Sequence, residues 1–215
     1  MDDFLNVIRN DHHQFDKGKL EDHFGDEPFT LLAKWMREAI EKPTTEPNAM
    51  VVSTLGLDGF PRARVVYWKE LLEEGIVFYT NYTSDKGKAI EANPQVNALL
   101  YWPEMERQIS ITGFAEKVPA EMSDAYFESR PRGSKLGAWA SHQSDLLDSR
   151  EELEKRVAAY SEKFPDFVPR PEHWGGYLIR PINVEFWQGR PSRLHDRIIF
   201  NLKPDNSWEL YRKNP

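Results

Sequence analysis

The chain has 215 residues, of which 40% are hydrophobic and 29% are charged, a composition typical of a folded globular protein. It contains no cysteine, which excludes disulfides, thiolate metal sites and cysteine nucleophiles. The formal net charge of −7 argues against a general affinity for nucleic acid or anionic membrane, so any anion site must be a local basic cluster.

Residues 1–28 are polar and predict a mobile N-terminal arm, with simple terminal disorder as the alternative. The extreme N-terminus carries early aspartates and no long apolar core, so it does not indicate a signal peptide. No stretch approaches the roughly 20 apolar residues that a membrane helix requires. These features favour a cytoplasmic protein with a single domain over residues 29–215.

The apolar spacing predicts an amphipathic helix over residues 29–42, ended by Pro43. Further helices are predicted over residues 84–91, with Ser84 as N-cap, over 120–129, and from a capping box at Ser149 to about Phe164. The predicted strands are residues 49–54, 62–69, 75–81, 96–102, 108–117, 176–180, 183–187, 197–201 and 208–211. Asp58-Gly59 marks a hairpin turn. Short strands joined mostly by hairpins predict a mainly β protein, an antiparallel barrel with helices packed outside.

The common catalytic motifs are missing from the sequence. None of the six histidines forms an i, i+4 pair on a helix, so no metal site is predicted. There is no G-x-S-x-G elbow, no Walker loop and no G-x-G-x-x-G. The sequence therefore lacks the motifs that indicate a hydrolase, a P-loop protein or a Rossmann fold. Local basic and aromatic clusters remain as the candidates.

The first two clusters lie on a strand and at a helix start. Arg64 and Lys69 could hold a phosphate, but strict alternation puts them on opposite faces, so the strand needs a bulge or an end, or they serve two ligands. The alternative is an edge strand with solvated charges. Lys86 in a first helical turn opposes the helix dipole, which a bound anion would explain; the alternative is an ordinary surface helix.

The other two clusters are rich in arginine. Arg130-Pro131-Arg132 with Ser134 two residues on predicts a donor-rich turn suited to a phosphate monoester, with a solvated loop as the alternative. Arg193 and His195 share one side of an extended segment and could stack on and hydrogen-bond an aromatic substrate. A salt-bridged hairpin around Asp196 is the alternative there.

Together these clusters resemble the pyridoxamine 5′-phosphate oxidase family over nearly the whole chain, from about Phe29 onward. The most specific segments are residues 129–139 (SRPRGSKLGAW), 185–189 (EFWQG) and 193–197 (RLHDR). The resemblance implies an FMN-binding split β-barrel and a homodimer whose two flavin sites are each built from both chains. It also implies a role in vitamin B6 salvage.

The resemblance further assigns site residues. The FMN phosphate would be held by Arg64 and Lys86. The remaining flavin contacts would be Val65, Val66, Tyr67, Trp68, Lys69, Tyr79, Thr80, Gln108, Gln143, Ser144, Trp187 and Arg197. The substrate phosphate would be held by Lys69, Tyr126, Arg130 and Ser134. Arg193 and His195 would be the catalytic pair that covers and contacts the pyridine ring.

The activity implied is oxidation of pyridoxamine 5′-phosphate or pyridoxine 5′-phosphate to pyridoxal 5′-phosphate. A hydride passes from C4′ to FMN, and dioxygen accepts the electrons to give hydrogen peroxide, with ammonia released from the amine. The alternatives are a split-barrel flavoprotein reductase acting on another substrate and a non-catalytic carrier of FMN or pyridoxal phosphate.

Three positions depart from the family pattern. Asp85 stands where the family usually has an arginine, which predicts weaker FMN retention. His12-His13-Gln14-Phe15 stands where some relatives place an arginine and a tyrosine over the substrate, which predicts a weakened or pH-dependent lid. Tyr67-Trp68 replaces a smaller aliphatic pair.

Overall fold

A computed structural model describes residues 2–21, 25–42 and 44–215, with side chains from residue 6 onward. The chain divides into two compact units. The barrel unit comprises Asn48–Leu100 and Ile111–Ile182, and the terminal unit comprises Met1–Pro47, Tyr101–Ser110 and Asn183–Pro215. Within the described residues, every helix is too short or too polar to cross a bilayer.

The barrel unit is built on six strands. These are β1 (Ala49–Leu55), β2 (Pro61–Leu72), β3 (Gly75–Asn81), β4 (Gln95–Trp102), β5 (Arg107–Lys117) and β6 (Trp174–Gln188), of which residues 101–102, 107–110 and 183–188 belong to the terminal unit. They pair in the order β3-β2-β1-β4-β5-β6, and β3 also pairs with β6, which closes the barrel. Inward side chains such as Val52, Ala98 and Leu100 are fully buried, as alternation along a half-buried strand requires. The prediction of a mainly β barrel is confirmed.

Four helices belong to the barrel unit: α3 (Asp85–Ala92), α4 (Ala120–Ser129), α5 (Arg132–Ala140) and α6 (Arg150–Lys163). Both predicted caps are present, since the Ser84 hydroxyl accepts from the Gly87 N–H and the Ser149 hydroxyl from the Glu152 N–H. Gly87 is required at the start of α3 because a Cβ there would lie 2.0 Å from the Tyr82 carbonyl oxygen.

Two segments differ from the sequence prediction. Residues 130–134, predicted as a donor-rich turn, instead contain the start of helix α5, because Pro131 has the fixed φ that suits a helix start. Residues 176–180 and 183–187, predicted as separate strands, belong to the continuous strand β6. Pro181 lacks an N–H, but its φ is compatible with an extended chain, so the strand runs through it.

The terminal unit combines α1 (Asp2–Asn10), α2 (Pro28–Glu41), β7 (Asp196–Leu202) and β8 (Trp208–Arg212). Residues 183–188 of β6 pair with β7, which pairs with β8. On α2, Trp35 packs edge-to-face on Phe186 with ring centroids 5.3 Å apart. The predicted helix at 29–42 is confirmed, while its predicted end at Pro43 lies outside the described residues. Helix α1 was not predicted, because the polar composition of residues 1–28 outweighed the short apolar period at Phe4, Leu5 and Ile8.

Candidate functional site

The barrel unit contains an open cavity of about 930 Å³, within the size range of small-molecule sites. Strand β2 contributes Arg64, Val65, Val66, Tyr67 and Lys69 to its wall. The register of β2 against β3 shifts between Trp68 and Glu70, which places an irregularity at Lys69. Because consecutive residues 64–67 also line the wall, the cavity takes side chains from both faces of β2, and Arg64 and Lys69 both reach it although the alternation of the strand puts them on opposite faces.

The first cationic seat is at the start of α3, where Lys86 is half-buried. Its Nζ donates to Thr80 Oγ1 at 3.1 Å, Ser84 Oγ at 3.3 Å and Gln143 Oε1 at 2.8 Å. All three acceptors are neutral. Burial, with the nearby positive charge of Arg64, lowers the pKa of Lys86 to about 8, although Asp85 acts in the opposite direction. The lysine therefore sits in a position that an anion would stabilise.

Arg64 lies in the same seat. Its Nη1 donates to the Val52 carbonyl oxygen at 3.1 Å and to Thr54 Oγ1 at 2.8 Å. Burial and then the charge of Arg62 lower the pKa of Arg64, while Asp85 raises it. The backbone N–H of Asp85 donates to Ser144 Oγ at 3.2 Å. The Asp85 carboxylate thus raises the pKa of both seat cations, Arg64 and Lys86.

The second cationic seat is at the start of α5. Arg130 Nη1 is buried and has no hydrogen-bond partner within the described parts of the chain. Burial lowers the pKa of this guanidinium. Pro131, the N-cap of α5, makes no side-chain capping bond, and Ser134 lies in the first turn and lines the cavity. A buried donor beside an uncapped helix start is an arrangement that fits an oxyanion.

Three aromatic rings in the cavity wall stack on one another. Tyr79 lies 3.9 Å from Tyr126 and 5.6 Å from Trp174, centroid to centroid, with interplanar angles of 13° and 10°. The Tyr79 hydroxyl donates to the Glu70 carboxylate. Burial and that contact raise the pKa of Tyr79 above its ordinary range, so the phenol stays neutral. This wall gives the cavity a flat apolar face between polar seats.

The remaining predicted residues are placed elsewhere. Trp68 is buried, 7% exposed, and its Nε1 donates to the Glu70 carbonyl oxygen. Gln108, Trp187, Arg193, His195 and Arg197 belong to the terminal unit.

Within that unit, the Trp187 and His195 rings lie 4.7 Å apart, and Phe15 of the arm packs edge-to-face on both. His195 Nδ1 accepts from the Arg190 N–H at 3.1 Å, and burial followed by Arg193 lowers the pKa of His195. The segment predicted to be extended instead forms a 3₁₀ turn at Pro191–Arg193, where Ser192 has a φ of 57° and Arg193 a φ of 60°. Such left-handed residues are of the kind found at functional loops.

Trp174 is one of the wall residues that sequence reasoning missed, together with Asn81, Gly137, Ala138 and Ser141. Its signal was weak, since it opens a strand just before Gly175-Gly176 and no lysine or arginine adjoins it. Its importance comes from the pairing of β6 with β3, which brings Trp174 opposite Asn81.

The fold and the site define a class: a split β-barrel whose cavity contains two separate cationic seats. A family model described as pyridoxamine 5′-phosphate oxidase matches residues 36–164, and one described as the pyridoxine 5′-phosphate oxidase C-terminal dimerisation region matches residues 174–215. The chain belongs to the pyridoxamine 5′-phosphate oxidase family.

Among its relatives, the pyridoxine/pyridoxamine 5′-phosphate oxidase of Flavobacterium johnsoniae is 49% identical over 97% of this chain and 99% of its own length. That of Thermosynechococcus vestitus is 47% identical over 91% of this chain and 92% of its own. The solved structure of PhzG from Burkholderia lata, in complex with tetrahydrophenazine-1-carboxylic acid, has a TM-score of 0.84 and is 31% identical over 92% of this chain and 100% of its own.

Proposed function

We propose that the protein is an FMN-dependent oxidase that converts pyridoxamine 5′-phosphate and pyridoxine 5′-phosphate to pyridoxal 5′-phosphate, with dioxygen as electron acceptor. The observation that carries the proposal is the presence of two desolvated cationic seats in one cavity, at Lys86 and at Arg130. FMN and the substrate each bring one phosphate, so an enzyme of this kind requires two such seats.

The residues around the first seat fit FMN. Lys86 and Arg64 would hold its phosphate by charge-assisted hydrogen bonds, and the fixed donors at the start of α3 add to them. The exposed edge of β2, Tyr79, Thr80, Gln143 and Ser144 would contact the rest of the flavin. FMN, when bound, supplies the hydride acceptor, while the protein supplies orientation and electrostatics.

The second seat fits the substrate phosphate. Arg130 and Ser134 would bind it, with Tyr126 and Lys69 as further contacts. Because this leaves the pyridine ring held at one end, Arg193 and His195 would orient the other end. In a neutral His195 whose Nδ1 accepts from the backbone, the proton resides on Nε2, so the ring would present a donor to the substrate.

We further propose a homodimer in which each flavin site takes residues from both chains. This assigns roles to Gln108, Trp187 and Arg197 as flavin contacts, as in the family to which the chain belongs. The match of residues 174–215 to the family's dimerisation region supports the proposal.

A second candidate is oxidation of a different substrate by the same fold, favoured by the likeness to PhzG with its bound phenazine precursor. That ligand carries a carboxylate and no phosphate. The two functions therefore differ in whether the Arg130 seat must bind a phosphate dianion.

Anaerobic mixing tests the proposal. FMN-loaded protein mixed with pyridoxamine 5′-phosphate should lose its flavin absorbance near 450 nm. Air should then restore the absorbance and release peroxide and pyridoxal 5′-phosphate. The Arg130→Met variant should have a much higher KM for the phosphorylated substrate. The Arg132→Met variant should keep the wild-type KM, because the guanidinium of Arg132 donates to the Phe164 carbonyl oxygen instead. If the flavin stays oxidised with both the amine and the alcohol substrate, the proposed activity is wrong. The second candidate or a non-catalytic carrier role would then be favoured.

The arm adds a proposal of its own, a pH-dependent cover. Phe15 lies on Trp187 and His195, and the neighbouring His13 Nε2 contacts Glu106 Oε1 at 3.1 Å. Burial opposes ionisation of Glu106, but hydrogen bonds from Lys17, His13 and Asp16 outweigh it and hold the pKa below its usual value. An ionised Glu106 therefore faces the arm at His13. Deleting residues 1–16 should flatten the dependence of KM on pH between 6 and 8, and an unchanged dependence would reject the idea.

A further inference from the structure

Arg130 raises a question of positioning. Its side chain is long and flexible, and its Nη1 is buried without a hydrogen-bond partner in the described chain. Arginine side chains are usually fixed by carboxylates, but a carboxylate would cancel the charge that a phosphate requires. Something other than an ion pair must hold this guanidinium in place.

The guanidinium lies over aromatic rings. Arg130 Cζ is 4.4 Å from the centroid of the Trp174 ring and 5.4 Å from that of Phe127. An indole face attracts a cation through its quadrupole and leaves the N–H edge of the guanidinium free. Such contacts therefore hold the charge without neutralising it.

Trp174 is itself held rigidly. It pairs with Asn81 across β3 and β6 and is only 6% exposed. Its carbonyl oxygen accepts from Arg170 Nη1 at 2.7 Å, and Arg170 Nε donates to Asp124 Oδ1 of α4 at 2.6 Å. Arg170 thereby ties the start of β6 to the helix whose C-cap is Arg130. The indole is a fixed surface relative to the residue it supports.

We propose that Trp174 is a positioning residue that holds the Arg130 guanidinium by cation–π stacking, so that Nη1 is presented, uncompensated, to the phosphate of the substrate. The identity of the substrate rests on the proposed function, but recognition of a phosphate monoester at this seat does not. The conformational entropy of the long Arg130 side chain is then lost before the ligand binds, and this raises the affinity for phosphate.

The test uses FMN-loaded protein, in which the Lys86 seat is filled, with inorganic phosphate and pyridoxal 5′-phosphate as probes. Trp174→Leu should weaken binding of both probes about 10-fold, from the usual strength of a desolvated cation–π contact, and leave FMN affinity within about twofold. Trp174→Phe, which keeps an aromatic face, should recover most of the loss. In an Arg130→Met background, Trp174→Leu should cause little further loss.

Fluorinated tryptophans at position 174 keep the test valid if Trp174→Leu does not fold. Fluorine reduces the negative potential of the ring face while nearly preserving the shape of the ring. Phosphate affinity should therefore fall stepwise as the number of fluorine atoms rises. Unchanged affinity across the series, equal losses with and without Arg130, or no phosphate binding by the wild-type protein would each overturn the proposal. If the wild-type protein binds phosphate in this way but oxidises neither substrate, the proposed function fails and the role of Trp174 stands.

Discussion

Lys86 and Arg130 of the cavity differ from Arg107 and Arg197 of the terminal unit in how their charge is compensated. Among the described residues, Lys86 donates to three neutral oxygens, and Arg130 Nη1 has no hydrogen-bond partner. In the terminal unit, Arg197 makes two hydrogen bonds to Glu185 at 2.7 and 2.8 Å, and Arg107 pairs with Glu38.

This difference distinguishes cations that are available to bind a ligand from cations that stabilise the fold. An uncompensated buried charge is costly, and a fold retains it where a ligand provides the missing partner. A paired arginine needs no ligand and stabilises its own surroundings. Lys86 and Arg130 are therefore the cations of the barrel unit that we propose bind anions, whereas the terminal pairs have a structural purpose whatever further contacts they make.

The largest expected effect is at Lys86. Lys86→Met should weaken FMN binding about 10- to 100-fold, because a charge-assisted hydrogen bond to the phosphate is lost. The same change should raise the melting temperature of the flavin-free protein, since it removes a buried charge without an anionic partner. Fluorescence titration with FMN and thermal denaturation measure the two effects.

The matched control for that substitution is Lys88→Met, two residues along the same helix and exposed. It should change neither FMN affinity nor stability by much. Riboflavin, which lacks the phosphate, should bind the wild-type and Lys86→Met proteins equally. A parallel loss of riboflavin binding would mean that Lys86 acts on the flavin ring or on the fold, not on the phosphate.

A stability effect is expected from the Glu185–Arg197 pair, whose side chains are 15% and 24% exposed. Arg197→Met should destabilise the flavin-free protein by about 2 kcal/mol, a buried-pair value reduced for partial exposure. The double variant with Glu185→Gln should recover much of that loss, since no buried carboxylate is left without its partner.

The control is Arg180→Met, which breaks the half-exposed contact to Glu116 and should cost less than about 1 kcal/mol. Equal losses in the single and double variants would show that the pair is not the cause.

A pH effect follows from Lys86 as well. Its pKa of about 8 in the ligand-free protein means that it is charged below that pH, and a bound phosphate raises the pKa further. Binding above pH 8 must therefore take up a proton, so FMN affinity should be flat near pH 7 and fall above 8, by up to about tenfold per unit. Lys86→Arg should remove the decline. A wild-type affinity that is constant from pH 7 to 9.5 would contradict the depressed pKa.

The sequence predicted most strands and the helix caps, and it singled out the clusters of Lys86 and Arg130, because these depend on local patterns such as alternation, Ser84 and clustered arginines. It missed α5 because Arg130-Pro131-Arg132 is locally typical of a turn, and it missed Trp174 because that residue acquires its role only when β6 pairs with β3. It placed Arg64 and Lys69 on opposite faces, and the cavity takes both because it is lined by residues from both faces of β2. Contacts between strands far apart in the chain have no local signal.

The smallest effect expected is at Asp85, where two influences oppose each other. As the first residue of α3, its carboxylate stabilises the helix dipole, a contribution of about 0.3–1 kcal/mol. The same carboxylate raises the pKa of both Arg64 and Lys86, so it partly satisfies the cations that the FMN phosphate would bind.

Asp85→Asn keeps the size of the side chain and removes the charge. It should strengthen FMN binding about three- to tenfold while lowering stability slightly, and the gain should shrink in high salt. Asp85→Arg should strengthen binding more. If neither variant changes the FMN dissociation constant, Asp85 stabilises only the helix, and its carboxylate does not compete with the FMN phosphate for Arg64 and Lys86.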